Sequence, residues 1–122
     1  MSSRRLESMQ PLTPRDYLIL FALLDEERHG YGLVKDVARL SEGAVRIDPA
    51  NLYRALQRMV KQGWVEESSR RPDPERDDER RRYYRITELG RHVLAAEATR
   101  LDRLARAARA KKLIPRSETY PI

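Results

Sequence analysis

The sequence predicts a mainly α domain carrying one small β-hairpin, an α+β class, and three observations predict it. Apolar residues recur at three- and four-residue spacing in four stretches. Three of those stretches open on a helix-capping residue, Thr13, Asp48 or Thr87. Between the third and fourth lie two short runs of β-formers, Trp64-Val65 and Tyr83 to Ile86, around a tip that contains two prolines. With 122 residues the chain has room for one modest core, which excludes a catalytic barrel or a doubly wound nucleotide-binding fold. An apolar content of 40% supports that core, while a charged content of 36% coats it heavily.

The elements follow in order. Residues 1–12 lack periodicity and are expected to form a flexible arm bearing Arg4 and Arg5. Thr13-Pro14 supplies a cap and a proline at the first helical position, and Tyr17, Leu20, Phe21 and Leu24 then mark one face of a first helix. His29-Gly30-Tyr31-Gly32 interrupts the pattern. Leu33, Val34, Val37, Ala38 and Leu40 form a second helix of about ten residues that stops near Gly43. Val45-Arg46-Ile47 alternates as a short strand should. Asp48-Pro49 repeats the cap-and-proline start of a third helix, with an apolar stripe of Leu52, Leu56, Met59 and Val60 and a stop at Gly63. The hairpin carries Arg70 and Arg71 on one arm and Arg80, Arg81 and Arg82 on the other, with Trp64 anchoring its root against the core. Thr87 caps a last helix running towards Lys112, whose stripe is Leu94, Ala98, Leu101, Leu104, Ala105 and Ala108, and Pro115 ends it.

Helix, helix, short strand, helix, hairpin, helix is the order of a winged helix-turn-helix with an added C-terminal helix. The expected boundaries are the arm at 1–12, the winged domain at 13–86, a dimerisation helix at 87–114 and a tail at 115–122. Net charge is +6, and the excess sits in the third helix region, 48–62, and in 87–114; the other segments balance. In the third helix Arg54, Arg58 and Lys61 lie opposite the apolar stripe, flanked by Asn51 and Gln57. Arginine can pair bidentately with guanine, and asparagine or glutamine with adenine, so Asn51, Arg54, Gln57 and Arg58 are the candidate base readers. Lys61 and Arg70, Arg71, Arg80, Arg81 and Arg82 of the wing are candidates for phosphate contacts. Tyr53 has two readings, a phosphate contact through its hydroxyl or a cap on the small core.

The blocks His29-Gly30-Tyr31-Gly32, Asn51-Leu52-Tyr53-Arg54-Ala55-Leu56, Gln62-Gly63-Trp64-Val65 and Tyr83-Tyr84-Arg85-Ile86-Thr87-Glu88-Leu89-Gly90, in this order and spacing, resemble the PadR family of bacterial transcriptional regulators. The resemblance spans roughly residues 12 to 110. It implies a short-subtype winged-helix repressor that binds double-stranded DNA, dimerises through its C-terminal helix and responds to a small-molecule effector. The last helix independently needs a cover for Leu94, Ala98, Leu101, Leu104, Ala105 and Ala108; a second copy is one solution and packing on its own domain the other. A homodimer would place its two third helices about 34 Å apart and read a palindromic operator.

Other chemistries find little support. Without cysteine there is no disulfide, thiolate nucleophile or zinc ribbon, which agrees with a cytoplasmic location. His29 and His92 stand without a second ligand or nucleophile at useful spacing, so neither a metal, a cofactor nor an enzyme activity is expected. The apolar run from Tyr17 to Leu24 is too short for a membrane span. One alternative stays open, a winged-helix protein-interaction or RNA-binding module that uses the same basic faces without specific duplex readout.

Overall fold

The computed structural model describes residues 11–68 and 82–115. Most of the N-terminal arm, the hairpin tip with Arg70, Arg71, Arg80 and Arg81, and all of the tail beyond Pro115 lie outside the described residues. The elements are α1 (Pro14–Ala22), β1 (Arg28–His29), α2 (Gly30–Leu40), α3 (Pro49–Gln62), β2 (Val65–Glu67), β3 (Tyr83–Ile86) and α4 (Glu88–Ala110). Among the described residues, four helices and a small antiparallel sheet make the winged-helix arrangement expected from the element order.

The caps work as the sequence suggests. Thr13, Asp48 and Thr87 each accept a backbone N–H three residues on, from Asp16, Asn51 and Gly90 respectively. These bonds satisfy amides that a first turn leaves without partners. At the far end of α3, Gly63 takes φ 81°, a conformation that glycine adopts without a Cβ penalty, and turns the chain into β2.

Three local expectations are corrected. Val45–Ile47 is not a strand: it has no ladder partner among the described residues, and the Ser41 hydroxyl oxygen accepts the Val45 N–H at 2.9 Å, tying the start of this irregular segment back to the end of α2. The third strand is instead Arg28–His29, and the sheet order is β1-β3-β2, with Arg28 opposite Tyr84 and Val65 opposite Ile86. Second, α2 starts at Gly30 because His29 caps it, its Nδ1 accepting the Gly32 N–H at 3.0 Å. Third, α1 buries Ile19 and Leu20, and its C-cap residue Leu23 is buried with them, while Phe21 is 42% exposed and stacks beside Tyr17. Tyr17 to Leu24 is apolar on every side, so spacing alone does not choose the buried face.

One core unites the elements: Ile19 and Leu20 of α1 with Leu23 at its C-cap, Leu33 and Val37 of α2, Leu52, Leu56 and Met59 of α3, Trp64 and Val65 at the hairpin root, and Val93 and Leu94 of α4. Trp64 is 4% exposed, as its expected anchoring role requires. Leu94 belongs to this core at 4% exposure, which removes it from the expected dimer stripe: the first turns of α4 lie on the domain, and only the later ones leave it. Leu101 and Leu104 are 39% and 55% exposed.

Where α4 leaves the core it buries Glu97. The carboxylate accepts the Leu12 N–H at 3.2 Å and two bonds from Arg100, at 2.8 and 2.7 Å. The Arg100 hydrogen bond, helped by the one from Leu12, holds its pKa below the ordinary glutamate value against the cost of burial. The folded value is depressed, so this contribution is present above the unfolded pKa and disappears as pH falls through the folded one. Urea unfolding at neutral pH should therefore find Glu97→Gln less stable by about 1–3 kcal/mol, with the gap to wild type closing in acid. A gap that is the same at neutral and acid pH would show that the charge of Glu97 does not act in this way.

Candidate nucleic-acid interface

The site is built on α3. Its Leu52, Ala55, Leu56 and Met59 face the core, so the opposite side must face outward. At 100° per residue, Lys61 lies about 20° and Gln57 about 60° from Arg54 around the helix axis. All three are exposed. Arg58 is rotated about 40° the other way, towards α1, and this difference decides what it touches.

Asp48, Asn51 and Arg54 form a relay along the first turns. Asp48 accepts the Asn51 backbone N–H at 2.9 Å and the Asn51 side-chain amide at 2.7 Å. Asn51 Oδ1 in turn accepts from Arg54 Nη1 at 3.1 Å. The backbone hydrogen bond from Asn51 is the main reason why the Asp48 carboxyl titrates below its ordinary value, so the relay is anchored by a carboxylate. Both polar atoms of the Asn51 amide are thus engaged within the helix. In this state Asn51, expected from the sequence as a base reader, orients Arg54. Arg54 uses only Nη1, so its Nε–Nη2 edge, one of the two that can make paired hydrogen bonds, is open.

Arg58 differs. Its Nη2 donates to both carboxylate oxygens of Asp16 on α1, at 2.8 Å each. Asp16 is 4% exposed. Each two-bond edge of a guanidinium, Nη1–Nη2 or Nε–Nη2, includes that nitrogen, so bidentate base reading by Arg58 has to compete with Asp16. The sequence reading placed Arg58 on the outward face because its angle permits it; the acidic partner comes from another helix, 42 residues away.

Tyr53 resolves towards its core reading. Its hydroxyl oxygen is buried and lies against Gly30, where an added Cβ would stand 2.6 Å from it. Glycine at position 30 lets α2 approach the ring, and the hydroxyl is turned inward. At the wing root, Arg82 pairs with Glu67 at 3.6 Å, and Arg85 bonds Glu66 at 2.7 Å and lies 3.7 Å from Glu27. Of the expected phosphate ligands, Lys61 is the exposed cation within the described residues.

The expected dimer stripe divides. Leu94 is internal, Ala98, Ala105 and Ala108 are half-buried, and Leu101 and Leu104 stand out to solvent. Sequence reasoning missed Asp16 as the partner of Arg58, and the link from Asp48 through Asn51 to Arg54. The relay could have been found, because a capping aspartate, Asn51 and Arg54 follow one another at three-residue steps, each within reach of the next; Asp16 could not. Among the described residues no three histidine or acidic side chains gather as a metal site, and no helix is long and apolar enough to cross a membrane.

Comparison with known proteins gives a consistent answer. Residues 19–96 match the model of the transcriptional regulator PadR-like family. An uncharacterized protein of Lysinibacillus sphaericus is 31% identical over 80 residues, covering 66% of this chain and 71% of that protein. Among solved structures, a transcriptional regulator from Clostridium thermocellum superposes with a TM-score of 0.64 at 22% identity, covering 94% of this chain and 99% of the other. A PadR-like transcriptional regulator from Bacillus cereus gives 0.65 at 21% identity, with 82% and 92% covered. Bacillus subtilis PadR, solved in complex with operator DNA, gives 0.59 at 20% identity; 70% of this chain is covered but only 47% of that one. The family match extends over most of the winged domain and into α4, and the chain belongs to the PadR-like family of transcriptional regulators.

Proposed function

We propose that the protein is a homodimeric repressor that binds a palindromic double-stranded operator, with α3 of each protomer in a major groove. The observation that carries this reading is the outward face of α3, where the Asp48–Asn51–Arg54 relay leaves the Nε–Nη2 edge of Arg54 open beside exposed Gln57 and Lys61. An arginine held in one orientation loses less freedom when it pairs with guanine O6 and N7, which favours readout over loose attraction. Arg54 and Gln57 read bases, Lys61 meets phosphate, and the wing arginines Arg70, Arg71, Arg80, Arg81 and Arg82 add phosphate contacts. Asn51 acts through Arg54. The likeness to a PadR solved with operator DNA supports the choice of duplex as partner.

The dimer rests on the end of α4. Leu101 and Leu104 fall three residues apart on the part of the helix that has left its own core, with Ala105 and Ala108 small enough for a second helix to approach. A small-molecule effector, which the family resemblance implies, would relieve repression by changing the separation of the two α3 helices.

Two experiments test this. Binding to a palindromic fragment of the gene's own promoter should weaken steeply between about 50 and 200 mM salt and exceed binding to a scrambled duplex. Arg54→Ala should cost about 1–3 kcal/mol and relax the preference at one base position in each half-site. Equal affinity for both duplexes would favour the protein-interaction or RNA-binding module, and unchanged selectivity in Arg54→Ala would remove Arg54 from readout. Separately, Leu101→Glu/Leu104→Glu should sediment as a folded monomer; a persisting dimer would refute the α4 interface.

A further inference from the structure

We propose that Asp16, on a helix outside the reading face, sets the DNA selectivity of the protein by withholding Arg58 from the duplex. The proposal rests on the duplex-binding reading given above. Its basis is an asymmetry between two arginines one turn apart on α3. Arg54 is steadied through Nη1 and keeps a two-bond edge open, whereas Arg58 places Nη2 between both oxygens of a carboxylate.

Asp16 is well placed to compete with phosphate. It is 4% exposed and occupies the first turn of α1, an end of the helix dipole suited to an acidic residue, with its backbone fixed by the Thr13 cap. Its oxygens occupy the position towards Arg58 that phosphate oxygens would otherwise fill. The Arg58 side chain is 42% exposed, so the guanidinium remains at the surface and a cation released from Asp16 would be within reach of a docked duplex. A cavity of about 370 Å³, lined in part by Thr13, Gln62 and Trp64, opens beside the pair and gives the side chain room to reorient.

The effect on selectivity follows from what a freed cation can grip. Phosphates repeat along every duplex, so a complex with no fixed register can shift until an extra guanidinium meets one. A complex pinned by Arg54 on its base cannot shift in this way. Releasing Arg58 therefore strengthens non-specific binding more than operator binding. Asp16 cancels this charge inside the protein and leaves discrimination to Arg54.

The test measures affinity and salt dependence on the operator fragment and on a scrambled duplex for wild type, Asp16→Asn, Arg58→Gln and Asp16→Asn/Arg58→Gln, each first checked for folding by circular dichroism. Asp16→Asn keeps the size of the side chain and removes its charge. For each protomer bound it should gain about five- to tenfold in affinity for scrambled duplex at 0.1 M salt and about 0.9 in slope, and the operator-to-scrambled ratio should fall. The double variant should return to the wild-type slope and ratio, and Arg58→Gln alone should leave the ratio as it is. An Asp16→Asn protein with wild-type slope and ratio would overturn the proposal, as would an Arg58→Gln protein that loses operator preference. If wild type itself does not distinguish the two duplexes, the duplex-readout reading fails first, and that result is recognisable before any variant is made.

Discussion

The burial of one edge of α3 is the constraint on which the rest of the structure depends. Leu52, Ala55, Leu56 and Met59 are sealed in the common core, where α3 packs on α2 and the hairpin root, and this fixes the rotation of the helix about its own axis. Once that rotation is fixed, Arg54, Gln57 and Lys61 have no choice but to face outward. Burying three large apolar side chains contributes on the order of 1.5–3 kcal/mol each, far more than any surface charge pair could offset. The orientation of the basic face is thus a product of packing, and the charges ride on it.

Hydrogen bonding then sorts the cations that packing has exposed. The same helix carries one arginine steadied by an amide and one held by a carboxylate from a different helix. Their formal charge is identical; their availability is not. Similar pairing operates at the sheet edge, where Arg85 lies between Glu66 and Glu27, and near the middle of α4, where Arg100 serves the buried Glu97. A basic protein of this kind therefore presents fewer free cations than its composition implies, and the positions of its acidic residues shape the interface as much as the arginines do.

Legibility in the sequence followed the range of each interaction. The starts of α1, α3 and α4 were readable because a cap and the amide it serves are three residues apart, and the stop at Gly63 because a positive φ selects glycine. The hydrophobic edge of α3 was readable because its period is local. Arg28–His29 as the third strand was not, since two residues carry no alternation and their partner β3 lies over fifty positions on. The pairing of Arg58 with Asp16 and the hydroxyl of Tyr53 against Gly30 are contacts between helices, and nothing within a single turn announces them. Leu94 and Leu101 share one stripe in the sequence, yet one is core and the other open, because only the folded domain shows where α4 parts from it.

The most direct measurement of the central claim uses the absence of cysteine from the chain, which makes single-site labelling clean. An iron-chelate cleavage reagent attached at Gln57→Cys would report where the outward face of α3 sits on DNA. Two clusters of strand cleavage in the major groove, about one helical turn apart and confined to the operator, is the result expected of two symmetry-related helices docked by that face. Cleavage spread evenly along the fragment, or none beyond that of the free reagent, would contradict it.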